Sequence, residues 1–215
     1  VVDPSLDYDW YDGRPRGPSF TDRPLRLIGE HTDGGHAEYA VVPAANCFEM
    51  PADVGFERAA AAGLVFVTAW RGLMDRGALR AGERVLVTGG SGGVGTAAVQ
   101  VARLAGAEVH AVTSGPENVR RLEALGADVA YDRLEGDFAP RLKEATGGRG
   151  VDLVFDSVGE ALWEQNLRAL AVGGRLVTYG ATTGATGATG IRHVFWKQRS
   201  ILGTTLGRPA GSREV

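Results

Sequence analysis

Five glycines, Gly89, Gly90, Gly92, Gly93 and Gly95, crowd the seven residues "GGSGGVG" at 89–95. Three of them, Gly90, Gly92 and Gly95, have GxGxxG spacing between an apolar run, Arg84 to Thr88, and an Ala/Val-rich stretch. In such a turn the first glycine permits a tight bend and the second lets backbone N–H groups approach a pyrophosphate. The third lets helix and strand pack closely. The helix N-terminus, with amides unpaired within the helix, draws the phosphates further. The chemistry on offer is dinucleotide binding. S-adenosylmethionine is a rival ligand for the same kind of turn, and a purely structural glycine turn is the third reading.

The end of the next strand separates the ligands. An Asp or Glu there accepts from the ribose 2′-OH and repels a 2′-phosphate, whereas this chain has Thr113-Ser114. Two hydroxyls with no carboxylate, followed by Asn118 and Arg120, predict NADP(H) in preference to NAD(H) and count against S-adenosylmethionine. Arg120 and Arg121 fit either this site or a solvated helix face.

Positioning these groups requires a particular alternation of elements. Strands are predicted over Arg84–Thr88, Glu108–Thr113, Asp128–Tyr131, Val151–Phe155, Arg175–Tyr179 and Ile201–Leu206. Helical spacing fills Gly95–Leu104, Pro116–Leu125, Asp137–Ala145 and Glu160–Leu170. The pattern predicts an α/β fold, a Rossmann-type doubly wound parallel six-stranded sheet. Upstream, Phe56–Met74 reads as one or two helices, and residues 1–45 carry one strand, Ala37–Val42, among Pro, Gly and Asp. The "GATTGATGATG" segment at 180–190 reads as a mobile loop.

Composition removes other classes of function. A net charge of −3 with scattered Lys and Arg gives no basic surface for nucleic acid. No stretch reaches the roughly 20 apolar residues of a membrane span. One cysteine, Cys47, excludes an intramolecular disulfide framework and, with no signal-like opening, points to a cytoplasmic setting. The opening Val1-Val2-Asp3-Pro4, without Met, reads as the start of a fragment or processed chain.

The blocks "IGEHTDGGHAEYAVVPAANCFEMP", "ERAAAAGLVFVTAWRGLM", "VLVTGGSGGVGTAAVQVARLAGAEV", "ALGAD", "VDLVFDSVG" and "GGRLVTYGATTG" followed by "FWKQRSILGTTLG" resemble the medium-chain dehydrogenase/reductase superfamily. The resemblance is to its quinone oxidoreductase-like and zinc-type alcohol dehydrogenase-like members and runs nearly end to end. It implies that residues 1–50 are a remnant of a GroES-like substrate domain, a partial β lobe, and that 51–215 form the dinucleotide-binding domain. It also implies that Ser91, Gly92, Gly93 and Val94 meet the pyrophosphate, while Thr113, Ser114, Asn118 and Arg133 surround the adenosine ribose. Toward the nicotinamide it points to Thr68, Ser157, Val158, Gly180, Ala181, Leu202 and Gly203.

The metal pattern departs from the zinc-dependent relatives. Leu64 stands where they carry a cysteine four residues before Thr68, and no cysteine lies between Pro4 and Leu27. No zinc is therefore expected. His31, His36, His110 and His193 lack ligand spacing and read as surface or packing residues. The resulting expectation is an NADPH-dependent, zinc-independent oxidoreductase that passes hydride to a quinone, enone or similar activated carbonyl compound, a small-molecule substrate. The alternatives are a zinc-type alcohol dehydrogenase with ligands upstream of this sequence and a non-catalytic NADP-binding module. No general acid stands out among Tyr8, Tyr11 and Tyr39. The uncharged, proline-free strand 200–206 predicts an edge that pairs with a second copy, forming a homodimer.

Overall fold

Buried strands of a parallel sheet must be apolar on both faces, because crossover helices cover each side. The runs after residue 84 meet that condition. The computed structural model describes residues 1–6 and 26–206. Strands β1 (Ser5–Leu6) and β2 (Arg26–Leu27) pair antiparallel, and helix α1 spans Phe56–Trp70. A π-helical turn, Arg71–Arg76, continues α1. There follow β3 (Arg84–Val87), α2 (Gly93–Leu104), β4 (Glu108–Thr113), α3 (Pro116–Leu125), β5 (Val129–Asp132) and α4 (Phe138–Ala145). The series ends with β6 (Val151–Asp156), α5 (Trp163–Ala169), β7 (Leu170–Thr178), α6 (Ile191–Phe195) and β8 (Ser200–Gly203).

The six longer strands form one all-parallel sheet in the order β5-β4-β3-β6-β7-β8. Chain order reverses between β3 and β6, leaving a crevice at their C-terminal ends, where open α/β sheets bind ligands. Side-chain alternation builds two cores. Val85, Val87 and Phe155 face one with Leu73 and Ala98, while Leu86, Val112 and Val154 face the other with Phe138 and Leu142. Full burial of side chains such as Leu86 and Phe155 contributes roughly 1.5–3 kcal/mol each. No helix among the described residues is long and apolar enough to cross a membrane.

Residues Val65–Thr204 form one compact unit, and Val1–Leu64 belong to a second. In the second unit, Val2 bridges Cys47, and Asn46 Nδ2 donates to Asp3 O at 2.8 Å.

Several expectations need correction. Ala37–Val42 is not a strand. With no partner among the described residues its backbone forms no ladder, and Tyr39 and Val41 are exposed. The helix expected over Glu160–Leu170 is a 3₁₀ turn, Glu160–Leu162, followed by α5, and Leu170 already opens β7. Strand β8 stops at Gly203, although Thr204 N still donates to Thr178 O at 3.0 Å. The short helix α6 has no counterpart in the expected elements. The 180–190 loop is tethered: Trp163 Nε1 donates to Thr189 Oγ1 at 2.8 Å and the indole packs against Gly187. Tyr8 and Tyr11 lie outside the described residues.

Candidate functional site

The turn after β3 is held by backbone bonds. Gly90 N donates to Val112 O at 2.9 Å, tying it to β4, and Gly92 N donates to Gly89 O at 3.0 Å. Gly89 has φ +61°, so it makes the left-handed bend. At Gly95 a Cβ would lie 2.3 Å from Gly89 O, a close approach that only glycine permits. Gly92 caps α2 without a side chain, leaving the first amides of the helix (Gly93, Val94) beside a bare backbone. Ser91 sits at the turn's tip. Val65 of α1 packs on Gly93, whose Cβ would approach Val65 Cγ1 to 3.0 Å; Thr68 lies three residues further along the same helix.

On the β4 side the structure brings Thr113, Ser114, Asn118 and Arg133 together. Arg133 Nε donates to Ser114 Oγ at 2.7 Å, and Asn118 Nδ2 donates to Ser114 O at 2.9 Å. Thr113 is buried, and its Oγ1 has no hydrogen-bond partner among the described residues. Beneath this cluster is Asp132, a carboxylate that the sequence reading did not single out. Its Oδ1 accepts from Gly115 N at 3.0 Å and Leu134 N at 2.9 Å. Those two amides, then the Arg141 and Arg133 charges, hold its pKa below the usual carboxylate range despite some opposing desolvation. Ser91 and Asn118 also line a cleft of about 420 Å³ with Thr96, Gln100, Arg121, Leu122 and Leu125. Arg121 thus borders the cleft, while Arg120 does not line it.

On the β6 side, a Cβ on Gly89 would sit 3.1 Å from Ser157 Oγ and 3.5 Å from Val158 Cγ2, so these residues adjoin the glycine turn. Ser157 O accepts from Thr182 N at 3.1 Å and Val158 O from Thr183 N at 2.9 Å, joining this loop to Gly180 and Ala181. Gly180 lies against Ser157, and Leu202 and Gly203 pair in register with Val177 and Thr178. The site residues therefore form two groups along the C-terminal edge of the sheet, meeting at the glycine turn.

Tyr179 is a further residue at this edge. Its ring stacks on Phe155 with centroids 4.1 Å apart, and its hydroxyl lies near Ser157. Burial pushes its pKa up to about 12, only partly offset by Ser157, so it remains a protonated donor but a poor general acid near neutral pH. Position alone could have marked it, being the residue after β7. Its contact with Ser157, 22 residues away, could not be read locally.

Of the four histidines, His110 takes a structural place, and His31, His36 and His193 are exposed. His110 is buried in β4 between Tyr131 OH, 2.9 Å from Nδ1, and Glu108 Oε1, 3.0 Å from Nε2. Among the described residues no three His, Cys, Asp or Glu side chains cluster as a metal site.

Residues 93–215 match the zinc-binding dehydrogenase family. The chain belongs to that family, within the medium-chain dehydrogenase/reductase superfamily. It is 32% identical over 173 residues to the quinone oxidoreductase of Homo sapiens, which covers 80% of this chain and 52% of the human protein. A solved NAD-dependent alcohol dehydrogenase superposes with a TM-score of 0.85 at 37% identity, covering 95% of this chain and 60% of that one. The Escherichia coli quinone oxidoreductase complexed with NADPH gives 0.69 at 31% identity, covering 76% and 50%. The chain thus spans about half the length of the curated quinone oxidoreductase it matches.

Proposed function

We propose that this chain forms the dinucleotide-binding part of an NADPH-dependent, zinc-independent oxidoreductase acting on a quinone, enone or similar activated carbonyl compound. The observation that carries the reading is the joining of two features at one sheet edge. A bare-backbone helix start lies at the crevice between β3 and β6, and the Arg133–Ser114 pair lies beyond β4. The chain's fit to a dinucleotide rests on the Gly89–Gly95 cradle and on the buried Thr113 hydroxyl, which has no hydrogen-bond partner among the described residues. Ser91, Gly92, Gly93 and Val94 would hold the pyrophosphate. Arg133, Ser114 and Asn118 would surround the 2′-phosphorylated ribose, and Thr68, Ser157, Val158, Gly180, Ala181, Leu202 and Gly203 would orient the nicotinamide. The bound nicotinamide supplies the hydride, and the protein supplies orientation.

Leu64, at the position where the zinc-dependent relatives carry a cysteine, supports the zinc-independent reading. An activated alkene or quinone suits a site of this kind, because charge developing on its carbonyl oxygen is stabilised by hydrogen-bond donors. The structural likeness to an oxidoreductase solved with NADPH supports the cofactor assignment. A second reading, NAD(H) with an alcohol substrate, is favoured by the Asp132 carboxylate under the ribose turn and by the NAD-dependent neighbour. We further propose a cytoplasmic setting and a homodimer through β8.

The test follows NADPH oxidation by this chain in the presence of a naphthoquinone or a cyclic enone, with NADH and simple alcohols as comparison, and measures bound metal. Quinone- or enone-dependent oxidation with substoichiometric zinc is expected. Zinc near one per chain that survives a chelator, with alcohol oxidation by NAD⁺, would overturn the reading.

A further inference from the structure

A carboxylate sealed from water without a cation partner is expensive unless donors surround it. Asp156, the last residue of β6, is such a group. It is fully buried, and among the described residues no cation pairs with it. Thr88 Oγ1, at the end of β3, donates to its Oδ1, which also accepts from Val158 N at 3.3 Å. Its Oδ2 accepts from Gly159 N at 3.0 Å, and its main-chain oxygen accepts from Tyr179 N at 2.9 Å after β7. One residue therefore fastens the ends of three strands at the point where the sheet order reverses.

The two loops are neighbours there, since a Cβ added at Gly89 would stand 3.1 Å from Ser157 Oγ and 3.5 Å from Val158 Cγ2. The position of the 157–159 loop therefore sets the width of the space between it and the glycine turn.

Resting on the dinucleotide reading above, we propose that Asp156 is a positioning residue for the nicotinamide half of the cleft, fixing the Ser157–Val158 backbone against the glycine turn through Thr88. The adenosine half, built on β4 and β5, does not depend on it. Asparagine at 156 keeps the shape but replaces one acceptor oxygen with a donor that faces other donors.

The experiment compares two ligands on the full chain by calorimetry: the reduced cofactor it binds more tightly, NADPH or NADH, and the matching adenine half, 2′,5′-ADP or ADP. Asp156→Asn should weaken the whole cofactor by about tenfold or more and leave the adenine half within about twofold. Equal weakening of both ligands, or of neither in a folded variant, overturns the proposal, because a merely structural role would not separate the halves. If Asp156→Asn fails to fold, Thr88→Val is judged by the same criterion with a smaller expected effect of about threefold. Failure of the unmodified chain to bind either ligand overturns the dinucleotide reading and this proposal with it.

Discussion

Replacing Gly95 by alanine tests the turn directly. The added methyl carbon would stand 2.3 Å from Gly89 O and 2.7 Å from both Cα and O of Gly90. All three are backbone atoms, so no side-chain rotation relieves the clash. Restoring ordinary contact requires the start of α2 and the turn to separate by about 1 Å. Two effects oppose each other in stability. Alanine's better helix propensity returns about 1 kcal/mol, while overpacking costs about 1–3 kcal/mol, so the net loss is about 2 kcal/mol or less. Ligand geometry suffers more, since a displacement of about 1 Å can lower a position-sensitive interaction by about a hundredfold. Gly95→Ala should therefore raise the Kd for NADPH about a hundredfold, equivalent to roughly 2.7 kcal/mol, while a urea melt shows a folded chain. Fluorescence titration reads the first and circular dichroism the second. A folded Gly95→Ala chain whose Kd stays within about twofold of the parent would refute the argument that this turn cradles the phosphates.

Arg133→Ala should weaken NADPH about tenfold relative to NADH, measured by parallel titrations, because it removes a cation held at Ser114. Ser114→Asp should move the balance toward NADH; at Thr113 the same carboxylate would be buried, so Ser114 is the cleaner position. Strand alternation, with Thr204 N bonded to β7, turns the Ile201 amide outward, so Ile201→Pro should shift a dimer toward monomer in light scattering without breaking the β7–β8 ladder. Tyr131 and Tyr179 have pKa values raised to about 12 by burial, above the unfolded value of about 10. Their contribution to stability is present below about pH 10 and lost as pH rises through about 12. At about pH 11 Tyr131 and Tyr179 should stay largely protonated in the native chain and ionise when it is denatured, a gain read by near-ultraviolet absorbance on unfolding.

Local punctuation explains which parts of the fold were legible. Helix α3 matches its expected bounds because Gly115, at φ +85°, and Pro116 open it and Gly126, at φ +113°, closes it. Strand β4 is bounded as cleanly by Gly106 at φ +78° and the Ser114-Gly115 turn. By contrast Gly173-Gly174 conceals the first half of β7, which is held from outside, by the pairing of Leu170 with Val151 of β6 before a register irregularity and by Gly173 N donating to Lys197 O at 2.8 Å, rather than by its own propensity. At the edge of β8 one contact was illegible for a related reason. Its own sequence carries no charge, but Arg76, 127 residues earlier, donates from Nε to Gly203 O at 3.1 Å and occupies one edge carbonyl. In the site, the glycine turn and Thr113-Ser114 follow from motif and spacing. Asp132 and Asp156 do not, because each looks like an ordinary polar residue closing a strand until its amide donors are seen.

The most direct test of the central claim is to follow the backbone amide resonances of the chain while titrating NADPH. Saturable shifts concentrated at residues 89–95, 113–115, 133–134, 157–159, 180–181 and 202–203 are expected, a continuous path along the C-terminal edge of the sheet. Absence of saturable shifts, or shifts confined to the opposite edge around residues 147–150 and 170–174, would contradict it.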